Sequence, residues 1–310
     1  MSGAGIVRVG ISGWTYAPWR GSFYPSDLRR ADELSYASRQ VDTIEINGTF
    51  YALQRPDSFA RWYDEVPEGF VFAVKGPRFI THVRRLREIE TALANFFASG
   101  VLRLEEKLGP LLWQFPPSFR FDAAPLDHFL ALLPRDTEAA AALAGRHSDW
   151  LAKRAWTHTA RGRELRHAIE IRHNSFLDPA FAMLLRCHRV ALVFADSVSW
   201  PYVEDVTADF VYLRLHGSEQ LYASGYSDEA LDHWAARISL WAQGLGPDDA
   251  RLLVPDTGPA RPSARDVFVY FDNDAKVRAP IDAQSLRARL AWDQATGCNF
   301  TPARQASKTG

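Results

Sequence analysis

The sequence predicts an α/β protein built as a single (β/α)8 barrel, and three observations lead there. Short β-rich runs alternate with helical patterns along nearly the whole chain. Eight such runs occur, the number that closes a barrel of parallel strands. Finally, several strands are aliphatic in one parity only. An open parallel sheet packs helices on both faces, so its central strands read as continuous apolar runs. A barrel instead sends one parity outward to helices and the other into a lumen that ends at a polar mouth.

The strands are predicted over 7–12, 41–47, 70–75, 111–115, 168–173, 190–196, 210–216 and 267–272. Alternation is clearest in four of them. Ile44 and Ile46 flank Glu45, and Ile169 and Ile171 flank Glu170, with Arg172 next in the same parity. Val211, Leu213 and Leu215 alternate with Tyr212, Arg214 and His216, while Val267, Val269 and Phe271 alternate with Phe268, Tyr270 and Asp272. Helices are predicted over 31–40, 58–65, 88–107, 126–133, 179–188, 228–243 and 283–292, with Pro125, Pro179 and the Ser227–Asp228 pair as starts. The stretch 197–208 is short and aromatic, the weakest crossover of the set.

The domain is expected to span 6–296. Within it, 134–166 exceeds one β/α unit and reads as an insertion after strand four, Ala-rich first and then studded with Arg, His and Trp. Residues 297–310 read as a flexible tail.

Composition narrows the function. Apolar residues at 47% and charged residues at 24% rule out wholesale disorder. A net charge of −1 argues against a basic coat for duplex nucleic acid but permits a local anion site. Arginines outnumber lysines 31 to five, which suits planar contacts to carboxylate or phosphate and also fits a codon bias. Cys187 and Cys298 lack disulfide or metal spacing, there is no leader-like start and no membrane-length apolar run, so a cytoplasmic, membrane-free protein is expected.

In a parallel barrel the strand C-termini share one face. Collected there are Ser12, Trp14 and Tyr16 from strand one and its loop; Glu45, Asn47 and Tyr51 from strand two; and Lys75, Arg78 and His82 from strand three. Gln114 joins them from strand four, Glu170 and Arg172 from strand five, Asp196 from strand six, Arg214 and His216 from strand seven. Tyr270, Asp272 and Asn273 come from strand eight, beside Asp274 and the tyrosine-rich loop 222–226. Glu45 and Glu170 are the candidate acid/base couple, with His82 and His216 assisting proton transfer. Lys75, Arg78, Arg172 and Arg214 would hold an anion, and the aromatic residues would stack a base or sugar. The competing reading is a salt-bridge network that sets strand register without chemistry.

At these positions the sequence resembles the YecE-like family, domain of unknown function 72, over about residues 7–293. The resemblance is carried by Gly10-Ile-Ser-Gly-Trp-Thr-Tyr, Phe23-Tyr-Pro, Glu45-Ile-Asn-Gly-Thr-Phe-Tyr and Phe72-Ala-Val-Lys-Gly-Pro-Arg-Phe-Ile-Thr-His. Lys107-Leu-Gly-Pro, Gln114-Phe-Pro-Pro, Glu170-Ile-Arg-His, Ala195-Asp-Ser, Arg214-Leu-His-Gly and Tyr270-Phe-Asp-Asn-Asp complete it. Ile11, Gly48 and Asn174 depart from the family pattern, where threonine, serine and proline are expected. The resemblance implies a barrel but no established activity.

Three functions therefore compete: an enzyme or binder acting on an anionic, phosphate-bearing ligand (nucleotide, nucleic acid or sugar phosphate), a glycoside hydrolase, and a non-catalytic module for nucleic acid or protein. No cofactor is predicted. A divalent metal would have to draw on Glu45, Glu170, Asp196, His216 and Asp272, and neither an HxH nor an HExxH spacing supports it.

Overall fold

A computed structural model describes residues 4–217, 225–255, 263–273 and 277–296. Eight parallel strands close a barrel in sequence order: β1 Val7–Ser12, β2 Thr43–Ile46, β3 Val71–Lys75, β4 Leu108–Gln114, β5 His167–Glu170, β6 Ala191–Asp196, β7 Phe210–Leu215 and β8 Asp266–Phe271. Around it run α1 Glu33–Ala37, α2 Gly48–Tyr51, α3 Pro56–Glu65, α4 Glu90–Ala98, α5 Ala123–Leu132, α6 Thr137–Ala144, α7 Pro179–Cys187, α8 Asp228–Ala242 and α9 Arg278–Thr296. The (β/α)8 architecture is the one that strand parity predicts. Residues 218–224, Asp274, Cys298 and the stretch 297–310 lie outside the described residues, and with them most of the tyrosine-rich loop.

The two parities separate into two apolar clusters. Ile11, Ile44, Val74, Trp113, Ile169, Phe194, Leu213 and Val269 point outward under the helices. Ala73, Leu112, Ala168, Val193, Ala195, Tyr212, Phe268 and Tyr270 fill the lumen. Register stacks the lumen in layers, because Arg8 pairs with Phe268, Gly10 with Thr43, and Ser12 with Glu45. The bottom is plugged by Phe210 and Phe268 under the guanidiniums of Arg166 and Arg8. Above them Tyr212 and Tyr270 pack with ring centroids 4.9 Å apart. Small residues at Gly10, Ala73, Ala168 and Ala195 leave room for the large polar side chains of the next layer.

Two predicted helices differ from those observed. The helix expected over 88–107 breaks at Gly100, whose φ of +111° is the left-handed conformation that favours glycine. Beyond it Val101–Lys107 is 3-10. The stretch expected as one helix over 31–40 is a 3-10 turn followed by the single-turn α1. Helix starts follow capping chemistry: Asp122, Asp178 and Ser227 each accept a backbone N–H at the first turn of α5, α7 and α8. Pro179 is the first residue of α7 and Pro125 the third of α5, both within the first turn. The region 134–166 contributes α6, packed against α4, and a 3-10 segment Asp149–Arg154. Among the described residues no helix is long and apolar enough to cross a membrane.

Candidate functional site

The C-terminal mouth is organised around one arginine. Arg214 is fully buried and lies in register beside Ala195 and Tyr270. Its guanidinium crosses the lumen and meets three carboxylates. Nε and Nη2 donate to Glu45 Oε2 (3.1 Å) and Oε1 (2.9 Å), Nη1 to Glu170 Oε2 (2.5 Å), and Nη2 also to Asp272 Oδ2 (2.8 Å). Burial opposes the charge on Arg214, but the surrounding Asp272, Glu45 and Glu170 outweigh it and hold the guanidinium charged.

The carboxylates are tied elsewhere as well. Glu45 accepts from Ser12 Oγ at 3.1 Å and Tyr212 OH at 2.6 Å. Glu170 accepts from Gln114 Nε2 at 3.0 Å and Arg172 Nε at 2.7 Å. Burial raises the affinity of Glu170 for a proton, yet Arg172 and Arg214 override it and keep the group ionised, well below the ordinary carboxylate range. Asp272 behaves alike: Arg214 and His216 outweigh burial and lower it. His216 Nδ1 lies 3.1 Å from Asp272 Oδ2, and burial lowers the affinity of this histidine for a proton.

This pairing bears on the acid/base assignment expected from sequence. Both Glu45 and Glu170 lie in the fully buried layer, Glu45 accepting from Ser12, Tyr212 and Arg214 and Glu170 from Gln114, Arg172 and Arg214. Arg214, expected to hold an anion, spends its donors on protein carboxylates. The register-setting network proposed as the rival reading accounts for this layer. Three carboxylates of the candidate metal set converge on a guanidinium. Asp196 sits apart, accepting from Tyr226 OH at 2.8 Å. Among the described residues no three His, Cys, Asp or Glu side chains form a metal-binding group.

A second tier of side chains lies at the ends of β3 and β5. Lys75 is 8% exposed, and its Nζ sits 4.4 Å from the centre of the Phe50 ring. Burial and the Arg214 charge lower its pKa from 10.5 to about 8. Among the described residues, neither Lys75 nor Arg78 side chain has an acidic partner. His82 lies on a π-helical turn, Phe79–Val83, a distortion often found at functional sites. Its ring meets Phe50 edge-on at 5.0 Å. Burial, Lys75, Arg172 and Arg78 together lower its pKa to about 4, so it is neutral at pH 7. Arg172 stacks over Trp200, 3.6 Å from guanidinium carbon to ring centre, and Trp200 meets His216 edge-on at 4.8 Å.

Trp200 escapes sequence reasoning because 197–208 has no periodicity to place it; its only signal is being a tryptophan in the loop after a barrel strand.

Other expected site residues lie elsewhere. Tyr270 is one layer too deep, its hydroxyl 2.9 Å from Thr43 Oγ1. Asn273 has the outward parity and donates to Asp282 of α9 at 2.8 Å. Tyr51 is 73% exposed and faces a separate 470 Å³ groove with Arg78, Phe79 and Trp150. Trp14, Tyr16 and Asn47 line a 560 Å³ cavity beside the mouth, with Arg61 and Trp62. There Trp14 packs edge-on against Trp62, and Tyr16 donates to the Ser12 carbonyl. The sequence thus brings Ser12, Glu45, Lys75, Gln114, Glu170, Arg172, Arg214, His216 and Asp272 into one centre and distributes the aromatic residues around it.

Comparison with known proteins agrees with this architecture. The chain is 25% identical to the UPF0759 protein YecE of Escherichia coli strain K12 over 289 residues, covering 85% of this chain and all of the relative. It is 29% identical to the UPF0759 protein YunF of Bacillus subtilis over 119 residues, 37% of this chain and 41% of that protein. The crystal structure of a DUF72 family protein from Thermotoga maritima superposes with a TM-score of 0.68 at 24% identity, covering 92% of this chain and 99% of that one. One from Enterococcus faecalis gives 0.66 at 18% identity, covering 92% and 96%. The family model described as "Protein of unknown function DUF72" matches residues 8–306, and the chain belongs to that family.

Proposed function

We propose that the barrel mouth binds a small anionic, phosphate-bearing molecule on the tier formed by Lys75, Arg78 and Arg172. The observation that carries this reading is an imbalance between tiers. Glu45, Glu170 and Asp272 are hydrogen-bonded to Arg214 in the floor, whereas neither Lys75 nor Arg78 forms an ion pair among the described residues, and Lys75 feels the three carboxylates only at longer range. Lys75, Arg172 and Arg78 all disfavour a proton on His82, with Arg78 exposed at the edge of the tier, where it also lines the neighbouring groove. A buried ammonium without a hydrogen-bonded acceptor is costly, and an incoming anion would supply one to Lys75. Arg172, braced by Glu170 and flattened against Trp200, is pre-organised for planar contact with phosphate.

Carbohydrate hydrolysis is the weaker reading. It needs one protonated carboxyl, and Glu170 is held ionised.

Calorimetric titration with inorganic phosphate and with adenosine monophosphate tests the proposal. Binding is expected for at least one, weakening with added salt. Arg78→Gln should lower affinity about tenfold, since a hydrogen bond to a charged group contributes about 1.5–3 kcal/mol. No binding of either probe by folded wild-type protein, or equal binding by the variant, overturns the reading.

A further inference from the structure

We propose that Lys75 is a nucleophilic amine that forms an imine with an aldehyde or ketone carried by an anionic substrate at the barrel mouth. The substrate class rests on the anion reading above; the role of the amine rests on the placement of Lys75 itself.

Lys75 ends β3 in the inward parity, two residues after the lumen residue Ala73, so its side chain rises from the strand into the mouth. Lysine is almost never this buried without a partner. Lys107 provides the comparison within the same chain. It is 7% exposed, but its ammonium donates to the carbonyls of Tyr63 (2.7 Å) and Val66 (2.9 Å). That amine is satisfied and fixed. The amine of Lys75 instead meets only the face of Phe50 among the described residues. Its position is also constrained from behind, where Thr49 Oγ1 donates to the Lys75 carbonyl at 2.6 Å.

The two conditions that activate a lysine are desolvation and a neighbouring cation. Both occur, as burial and Arg214 lower the pKa of Lys75 to about 8. About a tenth of the molecules then carry the neutral amine at pH 7, several hundred times the fraction for a lysine in water. In the reaction the Nζ lone pair forms a bond to the carbonyl carbon, and the carbonyl oxygen takes up a proton from water. The nitrogen then passes one of its own protons to that oxygen, the C–O bond breaks to release water, and the nitrogen lone pair closes the protonated imine. Water is the only by-product, and nothing is oxidised or reduced. Arg78 and Arg172 would hold the anionic end.

With only five lysines in the sequence, a peptide map reads this directly. Wild-type protein is incubated with glyceraldehyde 3-phosphate or with glyceraldehyde, each with cyanoborohydride to reduce any imine, and the modified lysines are mapped. At pH 7.5 the phosphorylated probe should label Lys75 at least tenfold faster than the exposed Lys153. Its rate should level off above pH 8 while that of Lys153 continues to rise. Inorganic phosphate should slow the Lys75 adduct, and Lys75→Arg should abolish it. Labelling of Lys75 no faster than Lys153, in protein that binds phosphate by calorimetry, overturns the amine while leaving the anion reading intact. Equal, fast labelling of Lys75 by both probes upholds the amine and overturns the anionic substrate class.

Discussion

Replacing Arg214 with methionine is expected to cost the protein most of its stability, at least 3–5 kcal/mol. That is the loss measured when one partner of a buried ion pair is removed. Here the effect reaches three carboxylates, because Glu45, Glu170 and Asp272 all contact the one guanidinium and all are buried. Domains of ordinary stability have only about 5–15 kcal/mol in total. The expected outcome is therefore an insoluble or molten product, or a urea midpoint far below wild type. Two further variants keep the claim testable if Arg214→Met cannot be purified. Combining it with Glu45→Gln and Glu170→Gln removes two of the stranded charges and should restore part of the loss. Lys75→Met removes a cation of similar burial that makes no direct ion pair with the carboxylates, and should cost far less than Arg214→Met. A folded Arg214→Met protein within 1 kcal/mol of wild type would show that the carboxylates do not depend on it.

The contrast between Arg214 and Lys75 marks how far the sequence could be read. Parity placed Glu45, Glu170, Arg214 and Asp272 on one inward layer, because a two-residue period decides which face a strand residue takes. It could not say which cation would neutralise which carboxylate. That depends on side-chain reach across a lumen whose width is set by residues such as Ala73 and Ala195 on other strands. The same two-residue period also sorts the residues of β8. Asn273 follows Asp272 and so must face the helices, where it meets Asp282. Tyr270 shares the parity of Asp272 but lies two residues deeper, below the charged layer. Neither belonged in the mouth on its own pattern. Trp200 and the π turn carrying His82 had no periodic signal at all. They belong to loops, and loop geometry follows from tertiary contacts such as the stacking of Arg172 on Trp200. The break at Gly100 lies between: an isolated glycine inside a helical pattern, which the left-handed backbone turned into a terminus.

Acid should destabilise the fold well before the carboxylate network fails, and His167 is the main reason. This histidine opens β5 and is fully buried. Its Nδ1 accepts from Trp113 Nε1 at 3.1 Å, so Nε2 carries the proton and donates to the Pro134 carbonyl at 2.8 Å. A second proton would have to go on Nδ1, against the indole N–H. Burial lowers the pKa of His167 to about 4, against about 6.5 in an unfolded chain. Below pH 6.5 the unfolded chain therefore binds a proton that the folded protein refuses. Stability is fully present above 6.5 and falls as pH drops, by about 3 kcal/mol at pH 4 from this residue alone. His82 and His216 are lowered too and add to the slope, His82 less because it is only partly buried. Glu170 and Asp272, with folded pKa values below the ordinary range, withdraw their contribution only at lower pH. Asp196 and Asp282, raised by burial, oppose this slope as they take up protons in the folded state, so the His167 contribution is read as a difference between wild type and a variant that cannot titrate. His167→Gln keeps an acceptor and a donor but cannot titrate. Urea unfolding between about pH 6.5 and 4.5 should give a wild-type curve steeper than the variant by close to one proton, about 1.4 kcal/mol per pH unit. Parallel curves would mean that His167 is protonated as easily inside the barrel as outside it, which its two hydrogen bonds forbid.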